Sequence, residues 1–454
     1  LKIVIVGAGE VGYHIASRLA VENKEVVVID RNPEALRRVS DSLDVQVVEG
    51  SGGSPLTLEA AGIREADILL AVTDSDETNL LACLMADVIS RSTRKLIRLR
   101  DADYDQYHDA LRENAPHIDT IINPEIEVVL TIDRLMSMPG AVDVGEFAEG
   151  RVKFVGIQME EETRLAGIRL MDIPDELGDQ RILIAAVVRN EKLIIPRGKD
   201  KLLPGDLIYF ISEEGKLMET LKIFNKHAKP IRHAMIIGGG RVGTRLARRL
   251  SEKNIHTKIM ERSEDRCNLL AKELDDAVIL CGDGSDQRLL EEENIRGMDM
   301  VVTLTDDEET NILTSLLVKR LGVPKTITKI RKFSYFPLML AIGMEQVVNT
   351  RLSAINTILQ HIRKGKVLSA ISIKGEEAEV MEAVALETSD IVGKRLQKLP
   401  FPKGALVACI IRGDEIIIPR GDSIIQHEDR VIIFAMRNAI PKVEKILSVK
   451  LEYF

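Results

Sequence analysis

Residues 1–30, "LKIVIVGAGEVGYHIASRLAVENKEVVVID", carry the pattern that decides the fold. "LKIVIVG" is an almost unbroken β-branched run, as expected of a strand buried on both faces of a parallel sheet. "EVGYHIASRLAVEN" then places Val11, Ile15, Ala16 and Leu19 at helical spacing. "EVVVID" (25–30) is a second buried strand. Between strand and helix, Gly7, Gly9 and Gly12 spell G-x-G-x-x-G. Gly7 permits a tight turn, Gly9 lets backbone amides approach a pyrophosphate, and Gly12 lets the helix pack close to the strand. Phosphates then rest on the helix N-terminus, where unpaired amides and the helix dipole favour negative charge. Asp30 ends the second strand, 18 residues after Gly12. A carboxylate there accepts bonds from both ribose hydroxyls and disfavours a 2′-phosphate, so NAD and adenosine ribose fit better than NADP.

Further strands follow in "VQVVEG" (45–50), "ADILLAVT" (66–73) and "KLIRLR" (95–100), with helical stretches between them. "NPEALRRVSDSL" opens such a helix with an Asn cap and Pro in the first turn. Alternation of this kind builds a doubly wound parallel sheet with right-handed connections.

The whole pattern occurs twice. "IGGGRVG" (237–243) repeats "VGAGEVG" (6–12), and aligning Gly7 with Gly238 is a shift of 231 that also carries Asp30 onto Glu261. "VTDSDETNLL" (72–81) matches "LTDDEETNIL" (304–313), and "RDADY" (100–104) echoes "RKFSY" (331–335). A second repeat follows each copy: "VVRNEKLIIPRG" (187–198) matches "IIRGDEIIIPRG" (410–421). The expected plan is α/β, with two Rossmann-like domains (1–140 and 231–365), each followed by a small α+β domain (141–225 and 366–454). The small domains read as short strands, "RVKFVGIQM", "RILIAAVVRN", "EKLIIPRG" and "GDLIYFIS", with hairpin turns at "RNEK" and "RGDE". "FNKHAKP" (224–230) reads as an exposed linker between the halves. The apolar stretch 335–349 is either a crossover helix packing on a neighbouring unit or core of the second Rossmann-like copy.

Thr73 and Asp74 follow a strand, at the carboxyl edge where open α/β sheets bind ligands. The acidic residues after them also suit the start of the next helix. Arg98 and Arg100 flank Leu99 and share a face, to reach a terminal phosphate or to pair with Asp101 or Asp103. In the second copy Arg241 replaces Glu10 inside the loop, where it can touch a phosphate, and Lys329 stands in place of Arg98. "GSGG" (50–53) and "GDGS" (282–285) follow the third strands and suit either approach of an adenine or a simple turn.

Composition narrows the classes. The chain has 454 residues, 45% hydrophobic and 29% charged, which suits globular domains with their own cores. With 62 basic and 71 acidic residues the net charge is −9, which argues against a nucleic-acid binder. "ARRL" (247–250) reads as a solvated helix face. The four cysteines form no C-x-x-C pair and read as small buried hydrophobes. No histidine spacing suggests a metal site. No run of 18 apolar residues exists, and no signal peptide is expected, so a cytoplasmic protein is expected. The start at Leu1 rather than Met points to a trimmed or edited start. A dehydrogenase needs a second domain with a positioned acid or base. No His–Asp or Lys–Tyr arrangement recurs between the small domains, and His427 aligns with Pro204. An enzyme is therefore not expected. An NAD-dependent oxidoreductase and an assembly protein with vestigial sites remain the alternatives.

The glycine loop with Asp30, "TDSDETN", the "RLRD" strand and a small domain ending in "IIPRG…GD" closely resemble the RCK (regulator of K⁺ conductance, or KTN) unit. Two such units in one chain look like the TrkA family of regulatory subunits of Trk-type potassium uptake. The resemblance implies a cytoplasmic homotetrameric ring on the inner face of the membrane, beneath a potassium channel or transporter. It also implies that NAD(H) and ATP or ADP bind the Rossmann-like domains and shift the ring between shapes. The implied ligand contacts are Gly7, Ala8, Gly9, Glu10, Val11, Gly12, Asp30, Arg31, Ser51, Thr73, Asp74, Arg98 and Arg100 in the first copy. In the second they are Gly238, Gly239, Gly240, Arg241, Val242, Gly243, Glu261, Asp283 and Thr305. Lys329 in place of the family's arginine leaves the phosphate preference of the second site open.

Overall fold

The structure, a computed structural model, describes residues 1–447 apart from 23, 139, 175–181, 227–229, 333–334, 345, 363–366, 374–376 and 388. The first parallel sheet contains β1 (Lys2–Val6), β2 (Glu25–Asp30), β3 (Gln46–Glu49), β4 (Ile68–Ala71), β5 (Arg94–Arg98) and β6 (Thr120–Ile122). Their order is β3-β2-β1-β4-β5-β6, and every pairing is parallel. The order reverses between β1 and β4, so a crevice opens beyond the carboxyl ends of these two strands. β1 is apolar on both sides because helices cover both: Ile3 and Ile5 join Ile15 and Leu19, while Val4 and Val6 join Leu58 and Ala82. The second sheet repeats the order with strands His233–Ile237, His256–Glu261, Ala277–Cys281, Met300–Thr303, Thr326–Ile330 and Gln346–Asn349.

The chain divides into two compact units, 1–124 with 351–365, and 125–350 with 366–454. Two helices therefore leave the domain to which their position in sequence assigns them. In the first unit, the helix Thr350–Ile362 packs Ile355, Ile358, Leu359 and Ile362 against Ile3, Ile5, Ile15 and Leu19. In the second, the helix Pro124–Ser137 packs Val128, Ile132 and Leu135 into the core of Ile236, Leu246 and Leu250. Asp133 on that helix accepts from Nε and Nη2 of Arg249, both at 3.1 Å, and pairs with Lys253. The "ARRL" stretch is thus corrected: Ala247 and Leu250 are buried, and Arg249 anchors a helix rather than facing solvent alone.

Each packed helix ends against a cation at the start of the fifth strand. Arg94 Nη2 donates to the His361 carbonyl at 3.1 Å, and Lys325 Nζ donates to those of Leu135 and Met136 at 2.6 and 3.2 Å. Donors and positive charge suit the unpaired carbonyls of a helix C-terminus. The stretch 335–349 supplies the short helix Phe336–Ala341 and the edge strand Gln346–Asn349; Met339, Met344 and Val348 are buried in the second copy, while Leu338 and Ile342 are exposed. The packing helix is the next one along.

The small domains are five-stranded antiparallel sheets. Within the second unit they share one apolar core, in which Phe154 stacks on Tyr209 and Phe434 at 5.4 and 6.4 Å between ring centroids. The expected hairpins are present. Asn190 and Glu191 turn with φ of 49° and 62°, the left-handed pair that a two-residue turn demands. Asp206 of the "GD" motif and its counterpart Asp429 each hold a two-pronged arginine, Arg189 at 2.6 and 2.7 Å and Arg412 at 2.7 and 2.9 Å. The linker reading needs correction as well. Phe224 is buried on Phe210 and Lys226 is buried against Glu160, while 227–229 lie outside the described residues.

Candidate nucleotide-binding sites

The three glycines of the first loop separate by what surrounds them. Gly7 has a φ of +113°, and its amide donates to the Ile29 carbonyl at 2.8 Å. A Cβ on Gly12 would fall 1.8 Å from the Gly7 carbonyl oxygen, so the helix Glu10–Val21 sits where it does only because Gly12 has none. A Cβ on Gly9 would meet nothing within 4 Å. Gly9 opens onto free space at the helix N-terminus, where an anion fits. The second loop repeats this: Gly238 has a φ of +110°, a Cβ on Gly243 would lie 2.1 Å from the Gly238 oxygen, and one on Gly240 would meet nothing.

The strand-end acids fasten the loops. Asp30 Oδ2 accepts from the Ala8 amide at 2.6 Å and Oδ1 from the Asn32 amide at 2.9 Å. Glu261 makes the equivalent bonds, from Gly239 at 2.8 Å and from Ser263 at 2.9 Å, so its longer arm changes nothing in the connectivity. Asn32 and Ser263 in turn cap the following helices. Arg38 Nη2 donates to the Ala8 carbonyl at 3.2 Å, and Arg266 Nε to that of Gly239 at 2.9 Å. Sequence reading missed these arginines, because they sit at different turns of their helices and no constant shift aligns them.

Beside Asp30, Arg31 Nη2 donates to Ser51 Oγ at 2.6 Å. In the second copy Asp283 accepts from the amide and hydroxyl of Ser285, at 2.9 and 2.7 Å, and these bonds hold its carboxyl below the usual range. The glycines of these loops serve packing: a Cβ on Gly52 or Gly284 would overlap the Val6 or Ile237 side chain at 2.0 or 2.2 Å.

Across the crevice, Thr73 is held by Asn79, whose Oδ1 accepts from the Thr73 amide at 2.9 Å and from its hydroxyl at 2.7 Å. Asn79 Nδ2 donates to the carbonyls of Thr73 and Arg98, at 3.1 and 3.0 Å, tying the two strand ends together. Thr305, Asn311 and Lys329 repeat the arrangement. Arg98 is nearly buried and donates to the Thr73 carbonyl at 2.7 Å and to Asp74 Oδ1 at 2.6 Å; Arg100 reaches the Asp74 carbonyl. Both arginines thus converge on Asp74 rather than on Asp101 or Asp103. Asp76 Oδ2 accepts from the amides of Arg100 and Asp101, both at 2.9 Å, and Glu308 does the same for Arg331 and Lys332. Lys329 meets Asp306 at 3.4 Å, a single longer contact in place of the guanidinium. Asn79 and Asp76 were legible only as a polar helix start. Their recurrence as Asn311 and Glu308 was the available signal.

The loops differ in sign. Glu10 faces Arg38 at 3.0 Å and Arg351, from the first turn of the packed helix, at 3.4 Å. In the second site Arg241 takes the Glu10 position and faces Glu125, from the first turn of the other packed helix, at 3.6 Å; Arg245 lies 3.8 Å from the same carboxylate. Val11 and Val242 are buried under the loops.

Cys83 and Cys409 are buried, and burial pushes both up to about 12, which leaves them inert thiols. Cys267 is buried too, but Cys281 is exposed, against the reading of all four as core. His427 is exposed. Among the described residues no cluster of three or more His, Cys, Asp and Glu is arranged to hold a metal, and no helix is long and apolar enough to cross a membrane. The site presents oriented amides at a helix N-terminus, a strand-end carboxylate and cations at the crevice edge.

Residues 3–124 and 234–350 match the TrkA-N domain family, and 154–225 and 380–448 the TrkA-C domain family. The Trk system potassium uptake protein TrkA homolog 1 of Methanosarcina mazei is 38% identical, over 98% of this chain and 99% of its own. Among solved structures, the GsuK channel bound to NAD aligns with a TM-score of 0.59 at 17% identity, covering 98% of this chain and 78% of that one. The GsuK structure bound to ADP aligns with a TM-score of 0.50 at 15% identity, covering 80% and 69%. At these identities the two structures speak for the fold.

Proposed function

Because the chain belongs to the TrkA family of Trk potassium uptake proteins, we propose that it is a nucleotide-sensing regulatory subunit which gates a membrane potassium channel or transporter. The observation that carries the reading is the duplicated clamp. In both copies a loop amide, a strand-end acid and the cap of the next helix form one hydrogen-bonded piece, with one glycine left open toward the crevice. Such a piece is preorganised for a ribose and its phosphates. The ligand class is adenine nucleotides, NAD(H) and ATP or ADP, held by the residues named above as contacts. The GsuK structures with NAD and ADP bear on the class through a shared fold.

The position of the crossover helices supplies the mechanics. A phosphate arriving at the first loop is repelled by Glu10 and attracted by Arg351; at the second it competes with Glu125 for Arg241. Either way the first turn of a packed helix feels the charge of the ligand. Each helix leads, in sequence, into a small domain. A ligand shifts such an equilibrium only by its differential affinity for the two states. The protein acts as a homotetrameric ring at the cytoplasmic face of its membrane partner, takes no nucleic acid, and leaves the nucleotide unconsumed.

The test is flux through the partner, reconstituted in liposomes with and without this chain. Potassium flux that changes with NADH, ATP or ADP, while NADH absorbance holds steady, supports regulation. Flux indifferent to every nucleotide, or steady NADH loss with a small substrate, contradicts it.

A further inference from the structure

The second nucleotide site carries a pair of thiols that the first lacks. Cys267 lies on the helix Glu264–Glu273, and Cys281 ends the strand Ala277–Cys281. Cys281 is the register partner of Glu261 in the neighbouring strand. The Glu261 carbonyl oxygen accepts from the Cys267 thiol at 3.3 Å and from the Gly282 amide at 2.9 Å. The Cys267 thiol and the amide that follows Cys281 thus meet at one carbonyl oxygen. Cys267 is buried and Cys281 exposed, and both are free. In the first copy, shifts of 231 and 232 put Leu36 and Glu49 at these positions.

We propose that Cys267 and Cys281 form a thiol–disulfide exchange site that takes a low-molecular-weight disulfide, RSSR, and closes to an internal disulfide that weakens nucleotide binding at the second site alone. The exposed Cys281 thiolate attacks one sulfur of RSSR. The S–S bond of RSSR breaks, a protein–S–S–R mixed disulfide forms, and one RSH leaves with a proton. Cys267 then gives its proton to solvent and attacks the Cys281 sulfur, releasing the second RSH. Two protein thiols are oxidised and one disulfide is reduced to two thiols. Burial and the neighbouring thiol push Cys267 up to about 12, so this second step is the slow one.

The consequence for the site follows from what the helix carries. A disulfide needs an S–S bond of about 2.05 Å, and the two thiols are free, so closure draws the helix toward the strand. Arg266 on that helix donates to the Gly239 carbonyl and to Thr244 Oγ1, each at 2.9 Å, and the amide of Ser263, its cap, holds Glu261. Moving the helix disturbs both the loop and its acid. Closure also removes the Cys267 proton from the Glu261 carbonyl. Cys281 leads directly into the Asp283 loop.

This consequence rests on reading Glu261 as the acid of a nucleotide site, so the experiment separates the two. The full chain carrying Gly9→Val, which obstructs the first loop, is incubated with oxidised glutathione. Intact mass and thiol mapping report the exchange; calorimetric ADP binding, before and after, reports its effect. The expected result is a loss of two hydrogens, a Cys267–Cys281 linked peptide, and ADP binding weakened about tenfold, or 1.4 kcal/mol, and restored by dithiothreitol. Cys281→Ser and Cys267→Ala each abolish the link and the change in affinity. No linked peptide, or a linked peptide with unchanged ADP affinity, overturns the proposal. If the reduced protein binds no ADP, the nucleotide reading of this site fails and the claimed consequence falls with it, while the mass still reports the exchange by itself.

Discussion

Gly9 and Gly12 stand three residues apart in one motif, yet substitution at each has a different outcome. A side chain at Gly9 enters open space, at a φ of −65° that any residue adopts. Gly9→Val is expected to keep the denaturation midpoint of the parent while nucleotide stoichiometry falls by half. At Gly12 the added methyl meets the backbone of Gly7, which cannot yield as a side chain would. Gly12→Ala is expected to cost about 1–3 kcal/mol, the range of overpacking in a full core, read as a lower midpoint in denaturant. Asp30→Ala removes the acceptor for two amides and frees the loop. Hydrogen bonds to a charged group are worth about 1.5–3 kcal/mol, so NADH affinity at the first site should fall at least tenfold; unchanged affinity sinks the assignment of the acid. These residues were legible because glycines and a strand-end carboxylate are dictated by local geometry. Asn79 was not, because its partners, the carbonyls of Thr73 and Arg98, come together only when β4 and β5 lie side by side.

Elements show the same divide between local and distant causes. The strands, the Asn-capped helix and the hairpins follow from alternation, caps and turn residues, and the sequence reading places them within a few residues. The destination of the helices Pro124–Ser137 and Thr350–Ile362 does not follow, because an apolar stripe records that a helix packs and not on which sheet. Lys325 tests that docking. Burial pulls its amine down to about 8, below the unfolded value of about 10.4. Between these two values the unfolded chain holds more protons, so the lysine's contribution to stability rises with pH across that window. Lys325→Met should therefore lose stability relative to the parent as pH rises from 8 to 10, in paired denaturation curves; a constant gap contradicts the reading. A second element-scale test exchanges the charges at the first loop. Glu10→Arg with Arg351→Glu gives it the polarity of the second. ATP is expected to gain on NADH at that site by about 1–2 kcal/mol, the upper range for a charge at a helix N-terminus.

For the whole molecule, the repeat is the most informative feature. It was legible in full from landmark spacing, and it set the expectation of two sites. The two compact units were not legible, because the exchanged helices cut across the repeat boundaries. Each half keeps the clamp of loop, acid and cap, and the halves differ at the loop charge, the cation that ends the fifth strand and the thiol pair. Two similar sites with different polarity suit a subunit that weighs one nucleotide against another. The most direct measurement is NADH binding to the purified chain by calorimetry, repeated with ATP, ADP and NAD⁺ as competitors. The account predicts two binding events per chain and displacement of NADH by the adenine nucleotides. NADH bound tightly at sites from which ATP and ADP cannot displace it would contradict the account, since the pocket would then be built around the nicotinamide half as in a dehydrogenase.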